Sequence, residues 1–95
     1  MGEHREERFE WDEAKAARAY DERGVSFFDM REAFAGVAIE RPDTRRDYGE
    51  ERYVLIGPVN GRLFAVVFTW RGRRRRLISA RKANAREVRF YDRNT

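Results

Sequence analysis

The sequence contains no cysteine, a single histidine, two prolines and no long apolar stretch. The absence of cysteine excludes disulfide bonds, thiol catalysis and thiolate metal sites, and it is compatible with a reducing compartment. The longest apolar stretch, Leu63 to Thr69, is too short to cross a bilayer. The first ten residues are charged, unlike the apolar core of a secretion signal. We therefore expect a cytoplasmic protein with no membrane contact.

The length and composition set the size of the fold. A chain of 95 residues has room for one domain with a modest core. Apolar residues make up 41% of it, which is enough for folding although 40% of the residues are charged. We expect a single domain over residues 1–95, in which residues 1–8 form a flexible tail.

The charge is distributed unevenly along the chain. Residues 1–50 carry 9 basic and 14 acidic side chains, a net of −5, whereas residues 51–95 carry 12 basic and 3 acidic side chains, a net of +9. A cationic half on a small folded protein attracts a polyanion, and nucleic acid is the commonest such partner. We expect the acidic half to be turned away from that partner.

Two helices are predicted in the N-terminal half. Asp12 is suited to cap the first helix, which continues through good helix formers to Arg23 and ends at Gly24. Ser26 is suited to cap the second helix, in which apolar residues recur at steps of three and four until Gly36. The segment 9–11 is either a short strand or an anchor on the core.

The C-terminal half has the pattern of strands followed by a helix. Turn residues separate the predicted strands, which cover 37–40, 52–56, 63–70 and 73–80, and an exposed loop is expected over 41–49. Asn84 or a neighbour caps a last helix that continues through Tyr91. The expected fold is α+β, with two N-terminal helices, an antiparallel meander of about four strands and a C-terminal helix.

The strongest chemical feature is a run of four arginines at 73–76, followed closely by further basic residues. Alternate side chains of a strand share a face, so Arg74 and Arg76 should point to one face and Arg75 and Arg81 to the other. The start of the run is equally well explained as the solvated end of a hairpin. A functional role is favoured for the residues nearer the last helix, which are Arg76, Arg81 and Lys82.

Candidates for proton transfer are scarcer than cations. RNA cleavage without a metal needs a base, an acid and cations that stabilise the charged phosphorane, and arginine supplies the last of these. His4 lies in the predicted tail, and Glu87 is at least as well explained by a surface salt bridge. The other candidates are better explained as core-edge or solvated groups: Tyr53, Tyr91, Asp43 and Asp47. No spacing of acidic residues or histidine predicts a metal site, and no motif predicts a cofactor.

The sequence also carries a series of short strings that are distinctive in their order and spacing. They are FEWDE at 9–13 with Lys15, GVSF at 24–27, GEERY at 49–53, IG at 56–57, and ISARKA at 78–83 with Glu87. The series spans nearly everything from Phe9 to Tyr91 and resembles the BrnT family of bacterial toxins. The resemblance implies a fold like that of the RelE ribonucleases and an endoribonuclease activity that cleaves RNA and arrests growth.

The same resemblance implies partners and site residues. The implied partner is a BrnA-like antitoxin, which is a ribbon-helix-helix protein. The complex contacts operator DNA only through this antitoxin. Whether the toxin forms a homodimer within the complex is left open. By position, the family's basic and polar cluster carries over to Lys15, Arg52, Ser79, Arg81, Lys82 and Glu87. We take Arg81, Lys82, Glu87, Ser79 and Lys15 as catalytic candidates, and Arg52, Arg74, Arg76 and Arg86 as candidates for RNA binding.

One departure from the family's pattern leaves two functions open. Members of the family commonly have Lys-His-Gly before Val-Ser-Phe, where this sequence has Glu22-Arg23-Gly24. Arginine cannot take up a proton at neutral pH. The first function is a metal-independent endoribonuclease toxin. The second is a catalytically weak or inactive relative that binds RNA or the antitoxin as a regulatory protein.

Overall fold

The computed structural model describes residues 2–95 and has an α+β fold. In chain order its elements are β1 Glu3–Arg5, β2 Phe9–Asp12, α1 Glu13–Arg23, α2 Phe27–Met30, a 3₁₀ helix Arg31–Phe34, β3 Ile39–Pro42, β4 Tyr53–Val59, β5 Arg62–Arg71, β6 Arg74–Lys82 and α3 Ala85–Asn94. The strands form a six-stranded sheet in the order β1-β2-β6-β5-β4-β3. Within residues 2–95, no helix is long and apolar enough to cross a membrane.

The predicted antiparallel meander is confirmed for β3 to β6. The sheet is wider than predicted, because β2 pairs with β6 in parallel and β1 pairs with β2. Residues 3–5, which we predicted to lie in a flexible tail, form β1; Met1 lies outside the described residues. Side chains account for this difference, since Glu3 forms an ion pair with Arg76 and the ring of His4 stacks on Trp11 with the ring centroids 4.2 Å apart.

The capping residues that the sequence predicts are confirmed. The side chain of Asp12 accepts a hydrogen bond from the Lys15 N–H at the start of α1, and Gly24 ends that helix in the left-handed conformation with φ 66°. Ser26 caps α2, which changes into the 3₁₀ helix after four residues. A reciprocal capping box between Asn84 and Glu87 starts α3.

Three strands are longer than predicted, and β5 gains one residue at each end. β4 continues through residues 57–59, because the turn to β5 is made by Asn60 and Gly61 alone, with φ 54° and 77°. That geometry is typical of a two-residue hairpin. β6 continues past Ala80 to Lys82. Arg81 therefore lies in the sheet, opposite Ala65, and not in a connection that leaves it.

A bulge changes which arginines share a face of β6. In the pairing with β5, Leu77 lies opposite Phe68 and Ser79 lies opposite Val67, so one residue of β6 is left over between them. An extra residue reverses the alternation of side chains beyond it. The prediction that Arg81 lies on the face opposite Arg76 is therefore wrong, because the register places both on the same face.

Helices cover both faces of the sheet unequally. The side with α1, α2 and the 3₁₀ helix holds the main core, which includes the fully buried side chains of Phe68 and Val66. On the other side α3 covers a smaller cluster around Ile56, against which Tyr91 packs. Each large apolar side chain that is fully buried in this way stabilises the fold by about 1.5–3 kcal/mol. On the rest of the α3 side of the sheet β6 presents Arg74, Arg76 and Arg81, whereas Arg75 lies over Phe34 and Phe68 on the side of the main core.

Gly57 marks the closest approach of the helical layer to the sheet. A Cβ atom built on Gly57 would lie 2.5 Å from the backbone oxygen of Ala33 in the 3₁₀ helix. Ala33 is completely buried, so its backbone has no room to move away. The 3₁₀ helix can thus approach β4 this closely only because residue 57 has no side chain.

We predict that Gly57→Ala lowers the free energy of unfolding by about 2 kcal/mol or more, since overpacking at a buried backbone contact forces the chain to shift. Urea unfolding followed by circular dichroism measures the change. Gly36→Ala is the matched control, because a Cβ there meets nothing within 4 Å. Equal stabilities of the two variants would show that the 3₁₀ helix yields freely.

Candidate active site

A cleft of about 290 Å³ opens on the α3 side of the sheet, where β6 passes into α3. Its floor is formed by side chains of β4, β5 and β6, and residues of α1, β3 and α3 surround it. The charged residues that line it are Arg23, Arg41, Arg45, Arg81, Arg86 and Glu87. Five arginines stand against Glu87 in the lining and Asp43, which pairs with Arg45 from outside it, so 5 − 2 = 3 net positive charges remain and the cleft is suited to bind an anion.

Arg81 and Glu87 form a two-pronged ion pair at the centre of this cleft. Nη1 of Arg81 donates to Oε1 of Glu87 at 2.7 Å, and Nη2 donates to Oε2 at 3.0 Å. Such paired geometry fixes the plane of the guanidinium as well as its distance. The hydrogen bonds to Glu87 raise the pKa of Arg81 further, so Arg81 stays charged at every ordinary pH.

Glu87 is buried and is held by groups other than Arg81 as well. The Asn84 N–H donates to its Oε1 at 2.9 Å, and a guanidinium nitrogen of Arg41 lies 3.9 Å from its Oε2. The hydrogen bonds from Arg81 lower the pKa of Glu87, with a further contribution from the Asn84 N–H, and they outweigh the opposing effect of burial. Glu87 is therefore an ionised carboxylate that orients Arg81 and is poorly suited to donate a proton.

A second ion pair fixes Arg45, which follows β3 in the loop over residues 43–52. Nε and Nη2 of Arg45 donate to the two carboxylate oxygens of Asp43, each at 2.9 Å, and the Tyr48 hydroxyl donates to Oδ2 at 3.2 Å. The side chain of Asp43 is 0% exposed. Our prediction of a solvated Asp43 is wrong, because these donors compensate the burial of its charge.

Arg23 reaches the cleft from the C-terminal end of α1. It occupies the position at which the family resemblance places a histidine, and the structure brings that position within the same lining as Arg81 and Glu87. Ser79 contributes a hydroxyl to the cleft floor. Among the described residues that line the cleft there is no histidine, lysine or tyrosine. Its chemistry is therefore dominated by fixed positive charge.

The structure separates the predicted site residues into two groups. Ser79, Arg81, Arg86 and Glu87 line the cleft. Lys15 is exposed on α1, and Lys82 lies on the opposite face of β6 from Arg81, so neither is among the lining residues. Arg52 lies in a neighbouring groove, where it forms an ion pair with Glu50 at 3.1 Å.

Arg74 and Arg76 are engaged by the N-terminal strands. Arg76 forms ion pairs with Glu3 and with Glu10, the latter at 2.7 Å, and Arg74 donates to the backbone oxygen of Glu6 at 2.6 Å. The acidic half of the chain thus contacts the basic half at this end of the sheet. Acidic residues of β1 and β2 neutralise Arg76 before any ligand arrives.

Sequence reasoning missed two arginines of the cleft. Arg41 and Arg45 were assigned to an exposed loop, and nothing in their local pattern distinguishes them from solvated residues. Their position follows from the pairing of β3 with β4 and from the buried carboxylate of Asp43. Arg23 could have been found, because the resemblance singles out its position.

Comparisons with known proteins agree with the resemblance. A family model described as "Ribonuclease toxin, BrnT, of type II toxin-antitoxin system" matches residues 11–87. A comparison with curated proteins found no match. The matched range extends from the buried Trp11 to Glu87 and so includes the residues of the central ion pair.

We predict that the ion pair between Asp43 and Arg45 gives stability that depends on pH. Hydrogen bonds from Arg45 lower the pKa of Asp43 from 3.8 to about 2. A carboxyl whose pKa is lower in the folded state stabilises the fold above its unfolded pKa, and this stability is lost as the pH falls towards the folded pKa. The free energy of unfolding of wild type should exceed that of Asp43→Asn by about 1–2 kcal/mol at pH 5–7, and this difference should shrink below pH 4.

Urea unfolding of both proteins between pH 7 and pH 2.5 measures this difference. Asp47→Asn is the control, because Asp47 is exposed in the same loop and accepts a hydrogen bond from the Gly49 N–H without an arginine partner. The free energy of unfolding of Asp47→Asn should differ little from that of wild type, and the difference should not change with pH. A constant difference for Asp43→Asn would show that its carboxylate is not specially stabilised.

Proposed function

Because the chain belongs to the BrnT family of type II toxin-antitoxin ribonuclease toxins, we propose that its arginine cleft binds RNA and cleaves it without a metal ion. The observation that carries the proposal is the two-pronged ion pair between Arg81 and Glu87 in the lining of a cleft with three net positive charges. The proposal assigns the role of binding the reacting phosphate to Arg81.

The contacts of Arg81 leave room for such a role. Three of its N–H groups are used, two by Glu87 and one by the Lys82 backbone oxygen at 3.3 Å. The guanidinium has further N–H donors, which remain for a ligand. The side chain is 45% exposed although its partner Glu87 is buried, so the guanidinium faces the solvent with its orientation fixed from behind.

Cleavage of RNA at a phosphodiester develops negative charge on the phosphorane oxygens as the 2′-hydroxyl attacks. Cations that are already oriented stabilise this charge without reorganisation, and this is usually the largest contribution that a protein makes to the rate. Arg81, Arg41 and Arg23 supply such cations in the cleft. Glu87 acts through Arg81 as a positioning residue. Ser79 is the hydroxyl available beside them, while Lys15 and Lys82 would have to act from outside the described lining.

Metal independence is supported by the donor groups of the protein. Among residues 2–95, no three side chains of histidine, cysteine, aspartate or glutamate are arranged so that they could hold a metal ion. The buried carboxylates are instead occupied by arginines. The cations that would stabilise the transition state are therefore part of the chain in this proposal.

The proposal extends to the biological setting. Membership of a type II toxin-antitoxin family implies an antitoxin, and we propose a BrnA-like ribbon-helix-helix protein that covers the cleft and blocks RNA. In this scheme the toxin acts in the cytoplasm, arrests growth when the antitoxin is absent, and reaches operator DNA only through the antitoxin. The scheme also treats the chain as one domain of the RelE-like kind.

We predict that Arg81→Ala reduces the rate of RNA cleavage by roughly a hundredfold or more, the scale for losing one electrostatic stabiliser of a transition state. Arg81→Lys should recover part of the rate, because an ammonium keeps the charge but not the paired geometry. Cleavage of a labelled RNA is the measurement, with circular dichroism to confirm folding. The double variant Arg81→Ala/Glu87→Gln should show the same loss while avoiding an unpaired buried carboxylate.

Arg73→Ala is the matched control for the loss of one positive charge. Arg73 is exposed in the tight turn between β5 and β6, and its removal should leave cleavage unchanged. All reactions contain EDTA, with a parallel series in magnesium at equal ionic strength. Wild-type cleavage by folded Arg81→Ala would remove Arg81 from the site, and a strict need for magnesium would contradict the metal-independent mechanism.

A second candidate function rests on Arg23. Arg23 lines the cleft at the position of the family's histidine, and the described lining holds no group that exchanges protons near neutral pH. A protein with this cleft binds RNA and the antitoxin through its charge while cleaving slowly or not at all. It would then act as a regulatory RNA-binding or antitoxin-binding relative of the active toxins.

We predict that Arg23→His distinguishes the two functions. If the chain is a weak relative, the histidine supplies a proton-transfer group and raises the cleavage rate by about a hundredfold, the lower end of the usual gain from general acid or base catalysis. The rate should then depend on pH near the pKa of histidine. Arg23→Gln, which removes the charge without adding a base, is the control. Fast wild-type cleavage that Arg23→His does not increase would exclude the second function.

A further inference from the structure

A groove of about 340 Å³ adjoins the cleft under the loop over residues 43–52. The residues that matter in it are Arg45, Arg46, Tyr48, Arg52, Val67 and Ser79. Arg45, Val67 and Ser79 also line the cleft. The two cavities are therefore neighbours along the same face of the sheet, with Arg45 between them. From the sequence, Arg52 was a candidate for RNA binding, Asp43 and Asp47 were interpreted as solvated, and no binding role was assigned to Arg45, Arg46 or Tyr48.

The spacing along β6 matches an extended polynucleotide. Ser79 and Arg81 lie on the same face of the strand two residues apart, which corresponds to about 7 Å. This distance is comparable to one nucleotide step of an extended single strand. A strand of RNA whose reacting phosphate lies at Arg81 would thus place a neighbouring phosphate in the groove.

The loop over residues 43–52, which forms the groove, is held in place by contacts between its own side chains. The buried carboxylate of Asp43 binds both Arg45 and the Tyr48 hydroxyl. The guanidinium of Arg52 lies 4.1 Å from the centre of the Tyr48 ring, and that of Arg46 lies 5.3 Å from it. Stacking of this kind restricts cationic side chains without neutralising them. The groove is therefore prepared before a ligand binds.

The charges of the groove single out Arg46. Arg45 is paired with Asp43, and Arg52 is paired with Glu50. Arg46 is exposed and has no ion pair among the residues that the structure describes. An exposed guanidinium that keeps its full charge neutralises a phosphate when it binds one and so releases a counterion, which contributes to the affinity.

We propose that this groove is a second phosphate subsite, in which Arg46 binds the phosphodiester next to the one at Arg81 in an extended single-stranded RNA. This inference rests on the proposed function, because it places the reacting phosphate at Arg81. It makes short RNAs poor ligands and gives the loop over residues 43–52 a role in substrate length. An acidic segment of a protein partner is the other occupant that the same charges could hold.

Fluorescence anisotropy with 2′-O-methyl RNA tests the subsite without cleavage. The probes are a dinucleotide, which fills the cleft alone, and a hexanucleotide, which also reaches the groove. Wild type should bind the hexanucleotide more tightly. Arg46→Ala should weaken hexanucleotide binding about fivefold, the scale of one exposed ionic contact. Its logarithmic salt slope should also fall by about one. Dinucleotide affinity should stay at the wild-type value.

Two further variants make the test specific. Arg73→Ala removes an equal charge from the hairpin turn and should leave both affinities unchanged. Tyr48→Leu removes the ring on which Arg46 and Arg52 lie. Because Tyr48 lines the groove but not the cleft, this change should weaken binding of the hexanucleotide but not of the dinucleotide, a pattern that a general loss of stability would not give. Equal loss for both probes in Arg46→Ala, or no loss for either, would overturn the subsite. No loss for RNA together with weaker antitoxin binding would assign the groove to the protein partner instead.

The same measurements separate this inference from the function on which it depends. A wild-type protein that binds neither probe would overturn the proposed RNA-binding function and the subsite with it. A wild-type protein that binds both probes equally tightly would overturn the subsite alone and leave the cleft at Arg81 intact. An Arg46→Ala variant with lower affinity for the hexanucleotide but not for the dinucleotide supports both the RNA-binding function and the subsite.

Discussion

The ion pair between Arg81 and Glu87 joins the last strand of the sheet to the last helix, and the shape of the cleft depends on it. Glu87 also completes the capping box of α3 with Asn84. One carboxylate therefore starts the helix and fixes the guanidinium at the same time. Burying such a pair is costly unless its hydrogen bonds are satisfied. Here both oxygens of Glu87 have donors, so the rigidity of the site follows from the way the chain ends its sheet.

The local signals in the sequence were reliable where neighbouring residues decide the structure. Asp12, Gly24, Ser26 and Asn84 cap or end their helices as predicted, because capping involves groups within a few positions of each other. The meander from β3 to β6 was also predictable from its turns. Arg81 and Glu87 were both selected as site residues, and the structure brings them together. The two residues are only six positions apart, and the cap at Asn84 starts α3 directly after β6.

The rest depended on contacts that no local pattern reveals. The face on which Arg81 lies follows from a bulge in β6, and a bulge leaves no simple mark in the alternation of residues. Asp43 is buried because Arg45 and Tyr48 surround it. Arg76 is neutralised by Glu3 and Glu10, which are more than sixty positions away. Arginines that look equivalent in the sequence thus differ in whether an acidic partner reaches them.

The acidic side chains of β1 and β2 have a kinetic consequence. By neutralising Arg76, they remove one positive charge from the middle of β6, between the cleft and the hairpin end, where Arg73, Arg74 and Arg75 have no ion pair among the described residues. The positive potential that attracts a polyanion is therefore weaker along the middle of β6 than the run of arginines in the sequence suggests. Fields of this kind increase the rate of encounter and are screened by salt over about 8–10 Å. The N-terminal strands therefore influence how a polyanion would approach the protein, although they contact neither Arg81 nor Glu87.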